Sequence, residues 1–332
     1  MKKFFEKMQN DISNSNMDES VKRLLLKNLL LLKDKKVNLM ITGATGCGKS
    51  STINALFDAE VAKVGVGVDP ETMDIQKYEL DNLVLFDSPG LGDGKEADNR
   101  HAKNIISKLN EKDANGNPLI DLVLVVLDGS SRDLGTSYEL INQVIIPNLG
   151  ADNRRILVAI NQADMAMKGR NWDRENNKPL PELVDFLEDK VESVKRRIKE
   201  GTGIDVEPIY YSAGFKDGET AQAKPYNLSK LLYYILQYTP KEKRVAVARN
   251  MNSNREMWED DDEQKDYRKG IIESIAESVS ECASAGGDIG EAIGGVFGDT
   301  GRTIGGVAGR VVGGAFGLVK GVVGGIFGGL FD

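Results

Sequence analysis

Apolar runs alternate with amphipathic stretches over much of the chain. Six runs have the length and apolar content of buried strands: Lys36–Thr42, Ile75–Leu80, Leu83–Phe86, Leu119–Asp128, Arg155–Asn161 and Val206–Ser212. Helical spacing of apolar positions predicts helices at Asp18–Lys33, Asn99–Leu109, Ser137–Ile146, Leu180–Ile198 and Asn227–Tyr238. Apolar strands that alternate with helices are typical of a parallel sheet covered on both faces. The two closely spaced strands before Phe86 predict one antiparallel edge.

Composition changes along the chain and divides it into four predicted segments. These are an N-terminal helical segment (1–35), an α/β domain (36–240), a charged linker or helix (241–285) and a glycine-rich tail (286–332). The acid run Glu259–Glu263 is most simply a solvated spacer. The formal net charge of −8 gives no strong indication of a nucleic-acid partner. Only two cysteines occur, far apart in sequence, which favours a reducing, cytoplasmic compartment.

The segment ITGATGCGKSST joins the first predicted strand to a helix, and it has the spacing of a phosphate-binding P-loop. Its glycines allow successive backbone N–H groups to turn inward around an anion, and the helix N-terminus adds a positive dipole end. Lys49 is expected to reach the β- and γ-phosphates, and Ser50 to ligate Mg²⁺. The predicted phosphate-site residues are Gly43, Ala44, Thr45, Gly46, Cys47, Gly48, Lys49, Ser50 and Ser51.

A second group of candidate residues follows the antiparallel strand pair. Asp87 ends the second strand, where an aspartate can hold a Mg²⁺-bound water, and the N–H of Gly90 can sense the γ-phosphate. Thr72 is the only serine or threonine between Ile53 and Phe86, which makes it the candidate to complete the Mg²⁺ shell. The predicted metal-site residues are therefore Ser50, Thr72 and Asp87. Catalysis is assigned to Lys49, Thr72 and Gly90.

The ends of two later strands carry residues suited to a guanine base. Asp164, in the sequence Asn161-Gln162-Ala163-Asp164, can accept hydrogen bonds from guanine N1–H and N2–H₂, a pattern that adenine lacks. A backbone N–H at Ser212 or Ala213 can read guanine O6. Ligands of open α/β sheets bind beyond the carboxyl ends of the strands, where all these residues are predicted to lie. The sequence therefore predicts that GTP or GDP is bound.

The ordered set of motifs resembles the translation-factor class of P-loop GTPases, close to the Era-like, HSR1-related group. GKSSTINALF and DSPGLGDG particularly resemble bacterial members, and the wording is also near that of septin, AIG1-type and immunity-related GTPases. The resemblance covers about residues 37–238. It implies a three-layer α/β/α P-loop NTPase fold with a mostly parallel six-stranded sheet that binds GTP and Mg²⁺.

Several positions depart from the pattern of these families. Gln162 stands where a lysine usually lies over the base, which affects the expected affinity more than the base preference. Leu91 stands where Ras-like enzymes carry a water-orienting glutamine, so hydrolysis is expected to be slow in isolation. Gly46 matches the position of an asparagine that holds potassium in some relatives, so that ion is not expected. His101 is expected to be an exposed surface histidine rather than a residue that acts on the attacking water. Cys47 lies near a helix N-terminus, a position that can lower its pKa, but a redox role for it is not expected.

The tail repeats glycine every four residues in two registers. These are Gly286, Gly290, Gly294 and Gly298, then Gly301, Gly305, Gly309, Gly313, Gly317, Gly321, Gly325 and Gly329. On a helix this spacing makes a groove that another backbone can approach closely, as in glycine zippers. Arg310 and Lys320 interrupt the apolar run. Membrane contact, self-association and a flexible tail are the three alternatives.

Three functions agree with these features. The first is a GTPase whose nucleotide state controls homodimer or oligomer formation, or attachment of the tail at the inner face of the membrane. The second is a P-loop ATPase or another nucleotide enzyme, against which Asp164 counts. The third is a nucleotide-binding scaffold with little or no turnover, whose tail mediates oligomerisation or membrane insertion.

Overall fold

A computed structural model of the chain describes residues 3–57, 63–65, 75–88, 94–150, 152, 154–214, 224–281, 317, 319–321 and 323–325. The positions of Thr72, Gly90 and Leu91 lie outside these ranges, so their predicted roles stay predictions. Most of the glycine-rich tail also lies outside them.

One mixed sheet forms the centre of the molecule. Its strands are β1 (Val37–Gly43), β2 (Lys63–Gly65), β3 (Gln76–Leu80), β4 (Leu83–Asp87), β5 (Leu122–Asp128), β6 (Ile156–Asn161) and β9 (Ile209–Tyr210), while β7 (Trp172–Asp173) and β8 (Lys178–Pro179) form a separate small hairpin. The order in the main sheet is β2-β3-β4-β1-β5-β6-β9. Pairing is antiparallel from β2 to β4 and parallel from β4 to β9. The predicted mostly parallel sheet with an antiparallel edge is confirmed, and the short β2 raises the strand count from the expected six to seven.

Helices cover both faces of this sheet. They are α1 (Lys3–Ser13), α2 (Glu19–Lys33), α3 (Lys49–Phe57), α4 (Lys95–Asn110), α5 (Gly135–Glu139), α6 (Pro181–Thr202), α7 (Leu228–Tyr238), α8 (Arg244–Arg249) and α9 (Tyr267–Glu281). Alternate strand residues enter different cores, because successive side chains of a strand point to opposite faces. Leu39 and Ile41 pack with α1, α2, α3, α7, α8 and α9, while Met40 packs with α4, α5 and α6. The P-loop NTPase layering predicted from the sequence is thus present, with additional helices on one face.

The predicted helix at Ser137–Ile146 has a different form in the structure. The α-helix ends at Glu139 and continues as a π-helix over Leu140–Ile145, followed by a 3₁₀ turn over Ile146–Asn148. Pro147 lies in that turn, and a proline has no N–H to continue an α-helical ladder. The helix is therefore wider and ends differently from the regular α-helix that apolar spacing predicts.

The charged segment after Pro240 packs on the same core as α1 and α2. Ile271, Ile275 and Val279 of α9 are fully buried, which gives this helix an apolar face despite its charged surroundings. The described part of the tail is helical, and both Val319 and Val323 are fully buried in this core. Across the described ranges, no helix combines the length and apolar character that a membrane span requires.

Two polar contacts attach the helical part of the tail to the body of the protein. Lys320 pairs with Glu273 of α9, and the Lys7 ammonium of α1 donates a hydrogen bond to the Gly325 carbonyl at 3.0 Å. The tail helix therefore lies against both the N-terminal helix and α9.

The acid run Glu259–Glu263 is not the solvated spacer that its composition suggests. Asp262 forms an ion pair of 2.6 Å with Lys230 of α7, and the two side chains are only 5% and 9% exposed. Asp262 also accepts a hydrogen bond from the Tyr267 hydroxyl at 3.0 Å. Asp261 accepts one from the Ser229 hydroxyl at 2.8 Å. The run is fixed because it neutralises a buried lysine and supplies acceptors to α7.

We expect Asp262→Ala to lower the free energy of unfolding by about 3–5 kcal/mol, because it leaves the buried Lys230 ammonium without a counter-charge. Chemical denaturation followed by circular dichroism measures this change. Glu263→Ala, an exposed acid in the same run, is the control and should change stability by less than about 0.5 kcal/mol. Equal effects of the two substitutions would show that the ion pair does not anchor the run.

Candidate functional site

The P-loop lies between the end of β1 and the start of α3, and its three glycines all have positive φ angles. These are 148° at Gly43, 81° at Gly46 and 90° at Gly48. The surroundings of Gly43 and Gly48 are the most crowded. A Cβ atom at Gly43 would lie 2.1 Å from the Val126 carbonyl oxygen, and one at Gly48 would lie 2.2 Å from the Asn161 side-chain nitrogen. Both positions therefore require glycine, since a side chain would collide with the neighbouring strand ends.

Lys49 lies against the loop that it follows. Its ammonium donates hydrogen bonds to the carbonyl oxygens of Gly43 and Ala44, each at 3.2 Å. The lysine predicted to bind phosphates thus sits with its charge on the P-loop backbone. A single cation at the start of α3 adds to the positive end of the helix dipole, which favours an anion at this position.

Asp87 and Ser50 fit a magnesium ion. Burial raises the pKa of the Asp87 carboxyl, while the Lys49 charge and a hydrogen bond from the Ser50 hydroxyl oppose that shift. The Asp87 Oδ1 atom is buried and has no hydrogen-bond partner among the described atoms. An unpaired carboxylate oxygen beside a hydroxyl is suited to Mg²⁺, which prefers few protein oxygens together with phosphate and water. In the described ranges no three His, Cys, Asp or Glu residues cluster as a metal site, so phosphates and water would supply the remaining ligands.

Asn161 holds the predicted guanine motif against the P-loop. This residue ends β6 and is 2% exposed. Its Nδ2 donates a hydrogen bond to the Cys47 carbonyl at 2.9 Å, and its Oδ1 accepts one from the Ala213 N–H at 2.9 Å. One side-chain amide therefore joins the phosphate loop, the guanine motif and the segment after β9, three regions that the sequence predicts to share a ligand.

Asp164 is oriented by the other half of the predicted base site. The Ser212 hydroxyl donates a hydrogen bond to its Oδ1 at 2.6 Å. That bond leaves the second carboxylate oxygen available for a ligand. The arrangement is suited to a group that presents two adjacent N–H donors, as guanine does.

Gln162 is hydrogen-bonded to the P-loop, although it replaces the expected lysine. Its Nε2 donates a hydrogen bond to the Gly46 carbonyl at 2.8 Å. The backbone of Gln162 is left-handed, with φ 61°, and this conformation directs the residue out of the β6 direction. The contact was not foreseen from the sequence, where the substitution suggested only a weaker base contact.

Lys190 of α6 is a further residue of the site that the motifs do not reveal. Its ammonium donates hydrogen bonds to the carbonyls of Gly129 at 2.6 Å, Ser131 at 2.7 Å and Asp128 at 3.3 Å. Burial lowers the pKa of Lys190, and the Asp128 charge opposes this. These bonds hold the loop after β5, whose Gly129 N–H donates to the Asn161 carbonyl at 2.7 Å. In the sequence, only Gly129 could have indicated this arrangement. A Cβ atom at that position would lie 2.4 Å from the Asn161 carbonyl oxygen.

The surface position expected of His101 is wrong, and the pKa of Cys47 is raised instead of lowered. Cys47 is fully buried, and burial raises the pKa of its thiol to about 11, against the smaller opposing effect of Lys49. The helix N-terminus therefore does not make it a reactive thiolate. His101, expected on the surface, lies on α4 with only 6% of its surface exposed.

Comparisons with known proteins agree with this geometry. Residues 38–162 match the family described as "50S ribosome-binding GTPase". "Uncharacterized protein YfjP" of Escherichia coli K12 is 30% identical over 172 residues, which are 50% of this chain and 55% of that protein. "Uncharacterized protein YkfA" of the same organism is 29% identical over 159 residues, covering 46% of this chain and 51% of that protein. The chain thus spans about half the length of the curated relatives that it matches.

One of the solved structures that this chain is similar to is described as a probable GTP-binding protein engB. It is 22% identical, the match covers 61% of this chain and 98% of that chain, and the TM-score is 0.38.

We expect the Cys47 thiol to react slowly with iodoacetamide at neutral pH, because its raised pKa keeps it protonated and its burial restricts access. Mass spectrometry of the Cys282→Ser variant isolates the reaction of Cys47. The same variant in denaturant is the control, where alkylation should occur at the rate of an ordinary thiol. Comparable rates in the folded and denatured protein would contradict the buried position.

Proposed function

We propose that this chain binds GTP and GDP with Mg²⁺ and hydrolyses GTP to GDP and phosphate. The match of residues 38–162 to the family described as "50S ribosome-binding GTPase" supports this. The observation that carries the proposal is the bridge made by Asn161. It joins the P-loop to the segment of Ser212 and Ala213, so the proposed phosphate and base sites lie next to each other. A ligand with a polyphosphate at one end and a flat polar ring at the other would suit both sites.

The base preference is supported by Asp164 and Ser212. An ionised carboxylate only accepts hydrogen bonds, and here one oxygen already accepts the Ser212 hydroxyl. The remaining acceptor pattern matches the N1–H and N2–H₂ of guanine, while adenine presents an acceptor at N1. An ATPase is therefore disfavoured by the chemistry of this carboxylate.

The phosphate end would be held by the N–H groups of the P-loop, by Lys49 and by a magnesium ion on Ser50 and Asp87. Bound Mg²⁺ neutralises charge on the phosphates and on the group that leaves. The Asp87 carboxyl must be ionised for this role, and its burial works against ionisation. The Lys49 ammonium and the Ser50 hydroxyl offset that effect, so both residues act on the metal site as well as on the phosphates.

Turnover is proposed to be slow for the isolated chain. Leu91 stands in the position of a water-orienting glutamine, and a leucine side chain cannot polarise water. Thr72 and Gly90 remain the candidates for sensing the γ-phosphate. A second protomer docked over the nucleotide face would supply the missing group, which links hydrolysis to homodimer or oligomer formation.

The tail provides a second element for assembly or membrane attachment. Val319 and Val323 are buried against the helices of the protein, which supports packing of the tail on protein surfaces. Contact with lipid rests on the apolar, glycine-rich composition alone. We keep as a second candidate a nucleotide-binding scaffold with little turnover, because Leu91 favours it. In both cases the nucleotide would regulate the partner that the tail contacts.

We expect Asp164→Asn to weaken GDP binding by about 3 kcal/mol or more, roughly a hundredfold, since two hydrogen bonds to a charged acceptor are lost. The same variant should gain affinity for xanthosine diphosphate, whose ring presents the complementary pattern. Isothermal titration calorimetry with GDP, XDP and ADP measures both changes. Asp185→Asn, an exposed carboxylate on α6, is the matched control. A separate variant, Lys49→Ala, should abolish tight binding of every nucleotide. An unchanged guanine preference in Asp164→Asn would remove this residue from the base site.

We expect GTP turnover per protein molecule to rise steeply with protein concentration, because a second copy would complete the site. Phosphate release measured over a wide concentration range, together with analytical ultracentrifugation, tests this dependence. A constant low rate would indicate hydrolysis within one chain. Bound nucleotide with no turnover at any concentration would favour the scaffold.

A further inference from the structure

A cleft of about 820 Å³ lies beside the proposed guanine motif, and none of the proposed nucleotide-binding residues lines it. Its walls come from the loop after β5, the turn after the guanine motif and the outer side of α6. The lining includes five cationic side chains, from Arg132, Lys168, Arg170, Lys190 and Arg197.

The charge of this cleft differs from that of the whole chain. Asp189 is the only acidic residue in its lining, so five cations face one carboxylate on a chain of formal net charge −8. Lys190 is committed to backbone carbonyls. For Arg132, Lys168 and Arg170, the part of the chain that the structure describes contains no ion-pair partner. Concentrated positive charge of this kind attracts an anionic ligand.

A strained turn places part of this charge. Met167, Lys168 and Gly169 follow one another in the left-handed conformation, with φ angles of 53°, 63° and 70°. This conformation costs roughly 1–2 kcal/mol for a residue other than glycine. Strain of this kind persists where the surrounding structure enforces it, and it concentrates at functional sites. Here the turn carries Lys168 and Arg170 to the rim of the cleft.

The cleft also has an apolar side. Leu134 and Val194 are buried in its floor, and Phe186 is 38% exposed at its edge, one of the few large apolar side chains exposed in the described structure. The Arg197 guanidinium lies 5.4 Å from the centre of the Tyr138 ring. Arginine, aromatic residues and methionine are enriched in protein–protein interfaces, where a few such side chains carry most of the binding energy.

We propose that this cleft is a docking site for an acidic, partly apolar peptide segment of a partner protein. Carboxylates of the segment pair with Arg132, Arg170 and Arg197, and an apolar side chain covers Phe186. Bidentate arginine–carboxylate pairs give such a contact both strength and direction. A nucleic acid is the weaker match, because a chain of phosphates does not cover the apolar side formed by Leu134, Val194 and Phe186.

The probe for this site is a fluorescein-labelled peptide of alternating glutamate and phenylalanine, with binding followed by fluorescence anisotropy on the full chain at physiological salt. We expect saturable binding, and at least about a tenfold loss of affinity for Arg170→Glu and for Arg197→Glu, since a reversed charge faces the peptide. Phe186→Ala keeps every charge and should also weaken binding. Arg23→Glu, an exposed arginine on α2, makes the same charge change outside the cleft and should retain most of the affinity.

Thermal unfolding of each variant shows whether the substitution has affected folding, and Arg197→Glu and Phe186→Ala keep the test independent of the strained turn. No saturable binding of the acidic peptide would overturn the proposal. Equal loss in Arg23→Glu would overturn it as well, because bulk charge would then explain the affinity. Equal binding of a lysine–phenylalanine peptide, or tighter cleft-dependent binding of single-stranded poly(U), would show that the occupant has a different chemistry.

Discussion

The side-chain amide of Asn161 is the contact on which the candidate site depends. It is buried at the end of β6, and both of its polar atoms are engaged, one with the carbonyl of Cys47 and one with the N–H of Ala213. A buried amide that loses a partner destabilises the fold by about 1–3 kcal/mol, so the three segments hold one another in place. The Gly48 backbone approaches this amide so closely that no side chain fits between them. These contacts fix the position of the P-loop relative to the segment of Ser212 and Ala213.

The sequence predicted the sheet and the nucleotide motifs because both are local patterns. An apolar run such as Leu122–Asp128 has few alternatives to a buried strand, and the spacing of Gly43, Gly48 and Lys49 reflects one loop geometry. Contacts between distant residues were beyond reach. Lys190 supports the guanine motif through backbone carbonyls, which leave no trace in residue type. For the thiol of Cys47 the sequence shows only the helix position, which can lower its pKa. Burial, the larger effect, raises the pKa and is not visible in the sequence.

The environment of the charged residues in the fold also could not be predicted from composition. The composition of the acid run predicts a solvated segment. Asp262 instead forms an ion pair with the buried Lys230 and accepts hydrogen bonds from neighbouring hydroxyl and amide groups. The basic residues around α6 are scattered in the sequence and become one surface only when the loop after β5 meets the turn at Met167–Gly169. Net charge therefore describes neither region, since each depends on which side chains the fold brings together.

The burial of Val319 and Val323 opposes any proposed contact of this part of the tail with a membrane or a second chain. Burial of each valine contributes roughly 1.5–3 kcal/mol, an upper range because the unfolded reference already hides some surface. A bilayer or a second chain that takes up these two side chains must first replace that contribution. Its apparent affinity for the tail is then lowered by roughly two to four orders of magnitude relative to a free peptide of the same sequence. A change that loosens the packing of α1 or α9 would reduce this free-energy cost. The tail would then be more available to a membrane or a second chain, without any change in its sequence.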